Sequence, residues 1–245
     1  MYINQKSDSP DINKLIDERS RQIWEHLINC YEISLTFHDE PNYKFFGKGK
    51  TAIFFITKGF YDKDYFAHEI LHLHLTARNI NIGSYLKLRF QENGLLSSIF
   101  SAPLLEHISN ILDHAKMLPM YLNMGFDRNK FIVDYDEPKC TERELNLIRL
   151  FINSKSNLWK NSVDLFLGKY FSIKSCPNDK IDYTAHLDQL CKIDGILFEI
   201  LDHFWGEWMK FDICKVDLPG YTYWDFCDTF YDSVNAWALE KTHTC

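Results

Sequence analysis

A chain of 245 residues with 46% hydrophobic side chains can bury a sizeable core, as one large domain or two small ones. Its net charge of -7, with no long Lys/Arg run, argues against a nucleic-acid partner, because phosphate binders carry basic patches. Seven scattered cysteines without a CxxC pair, a polar N-terminus without a signal peptide's apolar block, and no apolar run of spanning length together predict a soluble cytoplasmic protein with reduced thiols and no membrane partner.

Residues 11–35 read as a helix, with Ile12, Leu15, Ile16, Ile23, Trp24, Leu27 and Ile28 at three- and four-residue steps. Residues 42–50, with Gly47 and Gly49, read as a turn-rich link to a β-branched and aromatic strand over residues 51–57. Such a strand, left at a sheet edge beside a metal, would pair with an extended substrate. Gly59 ends it, and Asp62-Lys63-Asp64 leads into the most informative stretch of the chain.

That stretch, residues 66–75, contains His68-Glu69-x-x-His72 in an otherwise hydrocarbon helix. At about 100° per residue, His68 and His72 stand roughly 40° apart with Glu69 beside them. Phe66, Ile70, Leu73 and Ala77 cover the far side, so the helix is central and carries one narrow polar slot. Buried imidazoles and a buried carboxylate are costly unless bonded to something. Two imidazoles four residues apart can direct nitrogen to one zinc, and the carboxylate can reach a water there. His74 faces Ile70 and Ala67 and reads as a core histidine.

Residues 78–98 read as a lid or a hairpin around Tyr85–Phe90. Ser101 and Pro103 open a helix over residues 104–116 with Leu104, Leu105, Ile108, Ile111, Leu112 and Ala115 as its apolar stripe. The helix is broken or restarted at Pro119 and stopped near Gly125, with residues 130–135 a short strand. A boundary falls at residues 136–140, followed by a Thr141/Glu144 capping box. Helices are expected over residues 141–154, 156–171, 183–210 with a break at Gly195, and 222–240. His186 and His203 occur singly and read as structural.

Two histidines do not complete a zinc site, and the polar arc of residues 104–116 is the best supplier of a third ligand. Asp113 is the expected one. Glu106, His107, Asn110 and His114 stand as alternatives, or as groups that hold a ligand's second nitrogen.

His68-Glu69-x-x-His72, after a strand and before a separate ligand-bearing helix, resembles the zincin-like metallopeptidases. Asn110-Ile111-Leu112-Asp113-His114, with Gly125-Phe126-Asp127 downstream, resembles the paired segment of an uncharacterised bacterial-type branch. Leu75 and Arg78 stand where a metzincin carries glycine and a third histidine, which excludes that arrangement. The resemblance implies His68 and His72 as zinc ligands, Glu69 as general base and an acidic residue of the second helix as third ligand.

The expected fold is α+β and mostly helical. A zincin-like core with a small sheet beside the H-E-x-x-H helix is expected over residues 1–136, and a helical region packed on it over 137–245. The expected function is a zinc-dependent hydrolase, a metallopeptidase in which Glu69 assists attack of zinc-bound water on a peptide or amide bond. Tyr85, His107 and His114 are the side chains chemically able to help hold an oxyanion. Its partners would be a peptide or protein substrate and a dedicated protein docking through the C-terminal helices. The alternative is a catalytically inactive zincin-like regulatory or interaction module.

Overall fold

In the computed structural model, which describes residues 9–154 and 158–243, the segment read as one helix over 11–35 is two elements. Asp17 accepts from the Arg19 amide and starts α1 (Glu18–Cys30). From Glu32 the apolar spacing changes to two, Ile33 and Leu35 turn inward, and β1 (Glu32–His38) replaces the expected last turn. The expected link holds β2 (Lys44–Lys48), and Gly49 at φ +60° makes the turn into β3 (Thr51–Thr57), where the strand was expected. Residues 1–8, the first two positions of the helix expected from 156, and Cys245 lie outside the described residues.

The sheet has the order β1-β3-β2, with β3 parallel to β1 and antiparallel to β2. Both edges of β3 are therefore hydrogen-bonded, which rules out the substrate-pairing edge role expected for residues 51–57. Ala52, Phe54 and Ile56 alternate inward along β3. Phe54 meets Trp24 of α1 at 6.2 Å and Phe66 at 5.3 Å between ring centroids. Phe66 lies on α2 (Lys63–Ala77), whose seven buried residues include Ile70 and Leu73 of the same core.

Residues 78–98 form no hairpin but two helices, α3 (Ile82–Glu92) and α4 (Gly94–Ile99), the second capped by the Asn93 side chain. Next, α5 (Ala102–Asn123) begins at Ser101, whose hydroxyl accepts from the Leu104 amide, and runs without a break through Pro119. Proline removes one helical hydrogen bond, but Met117 and Tyr121 on either side are fully buried and hold the helix together. Residues 130–135 are not a strand: Asp127 caps a single 3-10 turn over Arg128–Lys130, and turns follow.

The chain divides into two units, Met1–Ile80 with Lys116–Asp136, and Asn81–Ala115 with Glu137–Cys245. Residues 81–115, read with the first 136 on sequence, are thus grouped with the C-terminal helices. The first unit holds the sheet, α1, α2 and the last two turns of α5.

In the second unit Thr141 and Glu144 form the expected capping box on α6 (Glu142–Phe151). After it come α7 (Leu158–Lys174), α8 (Thr184–Ile193), α9 (Gly195–Lys210) and α10 (Trp224–His243). The break between α8 and α9 falls at Asp194, whose carboxylate accepts from the Leu197 amide. Phe204 of α9 stacks on Phe230 of α10 at 4.2 Å, and Trp208 donates to the Leu112 carbonyl of α5 at 3.0 Å. Ten α-helices and three strands among the described residues make the fold α+β and mostly helical, with a helical C-terminal region. Among those residues no helix is long and apolar enough to cross a membrane.

Within the second unit α3 approaches α5 at Gly83, where an added Cβ would lie 1.8 Å from Ser109 Oγ and 2.5 Å from its Cα. Gly83→Ala is expected to cost about 1–3 kcal/mol through overpacking. Gly94→Ala, where nothing lies within 4 Å of the added Cβ, is expected to be neutral or slightly stabilising. Denaturant unfolding midpoints of the two variants check the contrast.

Candidate metal centre

The candidate site begins at the start of α2. Asp62 accepts from the amides of Asp64 and Tyr65, which fixes the first turn and hence the facing of every later side chain. One turn on, His68 is 9% exposed and His72 half-buried, and their Nε2 atoms stand 3.2 Å apart. Two nitrogens bound tetrahedrally to one zinc at about 2.0–2.1 Å would sit about 3.3 Å apart. The pair alone would also suit an N–H···N bond between two neutral rings. A third nitrogen makes the difference: His114 of α5 joins them, and the three ligand atoms all lie within 4.8 Å of one another. Among the described residues this is the one group of three or more His, Cys, Asp or Glu side chains so arranged.

The unit division falls between Ala115 and Lys116, inside α5. His114 is therefore two residues before the turns of that unbroken helix which belong to the first unit. Met117 and Tyr121, three and seven residues further along, are fully buried there.

The electrostatics suit the same use. Burial holds the His68 ring well below the usual imidazole range, and His72 beside it acts in the same direction, while the Phe131 backbone acts oppositely. A neutral imidazole is the form that ligates. Burial pushes the Glu69 carboxyl up to about 7, with His72 pulling it back. His68 also meets the Phe131 ring at 4.9 Å, so one side of the imidazole is covered by hydrocarbon. A donor set of three imidazoles, with the first nearly enclosed, fits a divalent metal of the zinc class. The cluster is thus capable of coordinating a metal ion, as in a metal-dependent hydrolase.

The structure sorts the remaining candidates. Asp113, the expected third ligand, is not in the cluster. It lines a shallow depression with Gly83, Ser84, Lys87, Glu106 and Asn110. The reason is helical: Asp113 is about 100° around α5 from His114, and the stripe that continues past Pro119 runs through His114, Met117 and Tyr121. Glu106 is exposed and paired with Lys87 at 2.9 Å, and Asn110 is exposed. His107 is exposed on α5 and shares a 2.9 Å hydrogen bond with Ser172 Oγ. Tyr85 donates to Asp228 at 2.7 Å. His74 packs edge-on against His26 of α1 at 6.3 Å, away from the cluster. His186 packs against Tyr183, and His203 is exposed.

Sequence reading singled out Gly125-Phe126-Asp127 and took residues 130–135 for a strand, but did not bring Phe131 to the site. A hydrophobic residue four positions past an Asp cap in a glycine-started loop was the available signal. No family model, no curated protein and no solved structure matches the chain.

The geometry separates two neighbouring side chains by function. His114→Ala is expected to abolish stoichiometric zinc binding, whereas Asp113→Asn is expected to keep one equivalent per chain. Metal analysis after dialysis against trace zinc checks both; zinc retained in His114→Ala counts against the assignment.

Proposed function

We propose that this chain is a zinc-dependent hydrolase of zincin type that cleaves a peptide or related amide bond. The observation that carries the reading is the convergence of His68, His72 and His114 with Glu69 adjacent on the same helix. His68, His72 and His114 would hold the ion. A divalent ion in that place supplies Lewis acidity, which polarises a carbonyl and makes water nucleophilic at neutral pH.

The chain's own residues do the rest. Glu69, next to His68 and half-buried, accepts the proton of the attacking water and returns it to the departing amine. The Phe131 ring covers one side of His68 and keeps bulk water from that imidazole. The substrate is a peptide or protein, and the dedicated protein partner expected for the C-terminal helices belongs to the same proposal. A cytoplasmic location, proposed with it, rests on the scattered cysteines without a CxxC pair.

Glu69→Gln is expected to retain one metal equivalent and to lose about 10²–10⁴-fold in turnover of mixed peptides. His72→Ala is expected to lose both metal and turnover. Product analysis by mass spectrometry beside metal quantification checks the pair. Turnover unchanged in Glu69→Gln would overturn the mechanism, and a metal-loaded parent inert on every peptide would favour the interaction-module alternative.

A further inference from the structure

The segment from Gly125 to Phe131 is tied down at both ends within the first unit, and its second end lies on His68. Its start is a helix C-terminus of Schellman type. Gly125 has φ +82°, its amide donates to the Leu122 carbonyl at 2.9 Å, and the Phe126 amide donates to the Tyr121 carbonyl at 3.3 Å. The hydrophobic contact that accompanies this motif is present, Phe126 stacking on Tyr121 at 5.0 Å. Arg19 of α1 clamps the same turn, donating to the Gly125 carbonyl at 3.1 Å with its guanidinium 3.9 Å from the Phe126 ring centroid.

The far end is held by charge. Lys130 Nζ donates to Asp62 Oδ2 at 2.9 Å and lies 3.1 Å from Asp64 Oδ2. Asp62 spends its other oxygen on the amides that start α2. The ammonium is thus anchored to the first turn of the helix that presents His68, one turn further on. The neighbouring residue, Phe131, is 1% exposed, wedged between Tyr121 at 5.2 Å and His68 at 4.9 Å.

We propose that Lys130 is a positioning residue: by pairing with Asp62 and Asp64 it latches the Gly125–Phe131 strap onto α2, so that Phe131 fixes the His68 imidazole in the orientation that offers Nε2 to His72 and His114. The inference rests on the metal-centre reading only for its consequence, not for its geometry. Groups that orient a ligating imidazole typically change metal affinity by about 10–100-fold when removed. The side chain supplies a reason for an ion pair at a helix N-terminus, where a cation is otherwise unfavourable.

The test uses the full chain and the variants Lys130→Met, which keeps the aliphatic stem, and Lys130→Arg, which keeps the charge. In the metal-free protein the His68 ring protons, lying against the Phe131 ring, are expected to carry a ring-current shift in the NMR spectrum. That shift is expected to move or broaden in Lys130→Met and to return in Lys130→Arg. With cobalt(II) as probe, the affinity of Lys130→Met is expected to fall about 10–100-fold, with recovery in Lys130→Arg. Global unfolding of the metal-free forms reports whether Lys130→Met remains folded; if it does not, Lys130→Gln is read in its place. His68 resonances identical in parent and Lys130→Met overturn the latch, whatever the metal does. A parent that binds no cobalt(II) overturns the metal-centre reading alone, since the NMR comparison still decides the latch.

Discussion

The site depends on the cost of enclosing polar groups in α2. Seven of its fifteen residues are buried, and His68 is among them. An imidazole enclosed against Phe131 and a half-buried carboxylate beside it forgo part of their hydration, a cost of several kcal/mol per group at the upper end unless something replaces the water. Burial also decides protonation: His68 is held neutral and the Glu69 carboxyl is pushed toward neutrality. A helix that spends stability in this way needs a return, and three imidazoles close enough together to hold one metal ion are able to supply it.

The fold around α2 serves that placement. Trp24, Phe54 and Phe66 lock α1, the sheet and α2 into one core, and Asp62 sets where α2 begins. The facing of His68 therefore follows from a cap and three aromatic rings rather than from the histidines themselves. In the second unit the aromatic side chains of α9 and α10 fill an independent core, with Phe204 and Phe230 in direct stacking contact. Its helix starts at Thr141 and Asp194 are made by the same capping chemistry.

How much of this the chain discloses on reading varies with the physics that sets each part. Short-range signals were legible: β3, α2, the Ser101 start and the Thr141/Glu144 box all follow from spacing and capping. Where two signals compete the sequence is ambiguous. Ile33 and Leu35 fit a helix continued from Leu27 as well as a strand, and sheet pairing to Ala52 and Phe54 decides it. Pro119 reads as a stop because its local cost is visible while the burial of Met117 and Tyr121 that offsets it is not. That single misjudged helix end also left His114 as an alternative behind Asp113. With α5 drawn only to residue 116, Asp113 and His114 look equivalent; drawn to Asn123, His114 alone shares a face with Tyr121. Gly125 and the Asp127 cap mark the loop before Phe131 locally, but its contact with His68 and the ion pair between residues 62 and 130 leave no local pattern.

The unbroken passage of α5 has one more consequence. From His114 to Tyr121, whose ring packs against Phe131, is seven residues, about two full turns of helix, so the candidate ligand and the ring that supports the strap emerge on the same side. An insertion or deletion of a single residue in that interval would swing one against the other by about 100° and slide it by about 1.5 Å. Length, more than side-chain identity, is therefore the quantity that this stretch has to preserve.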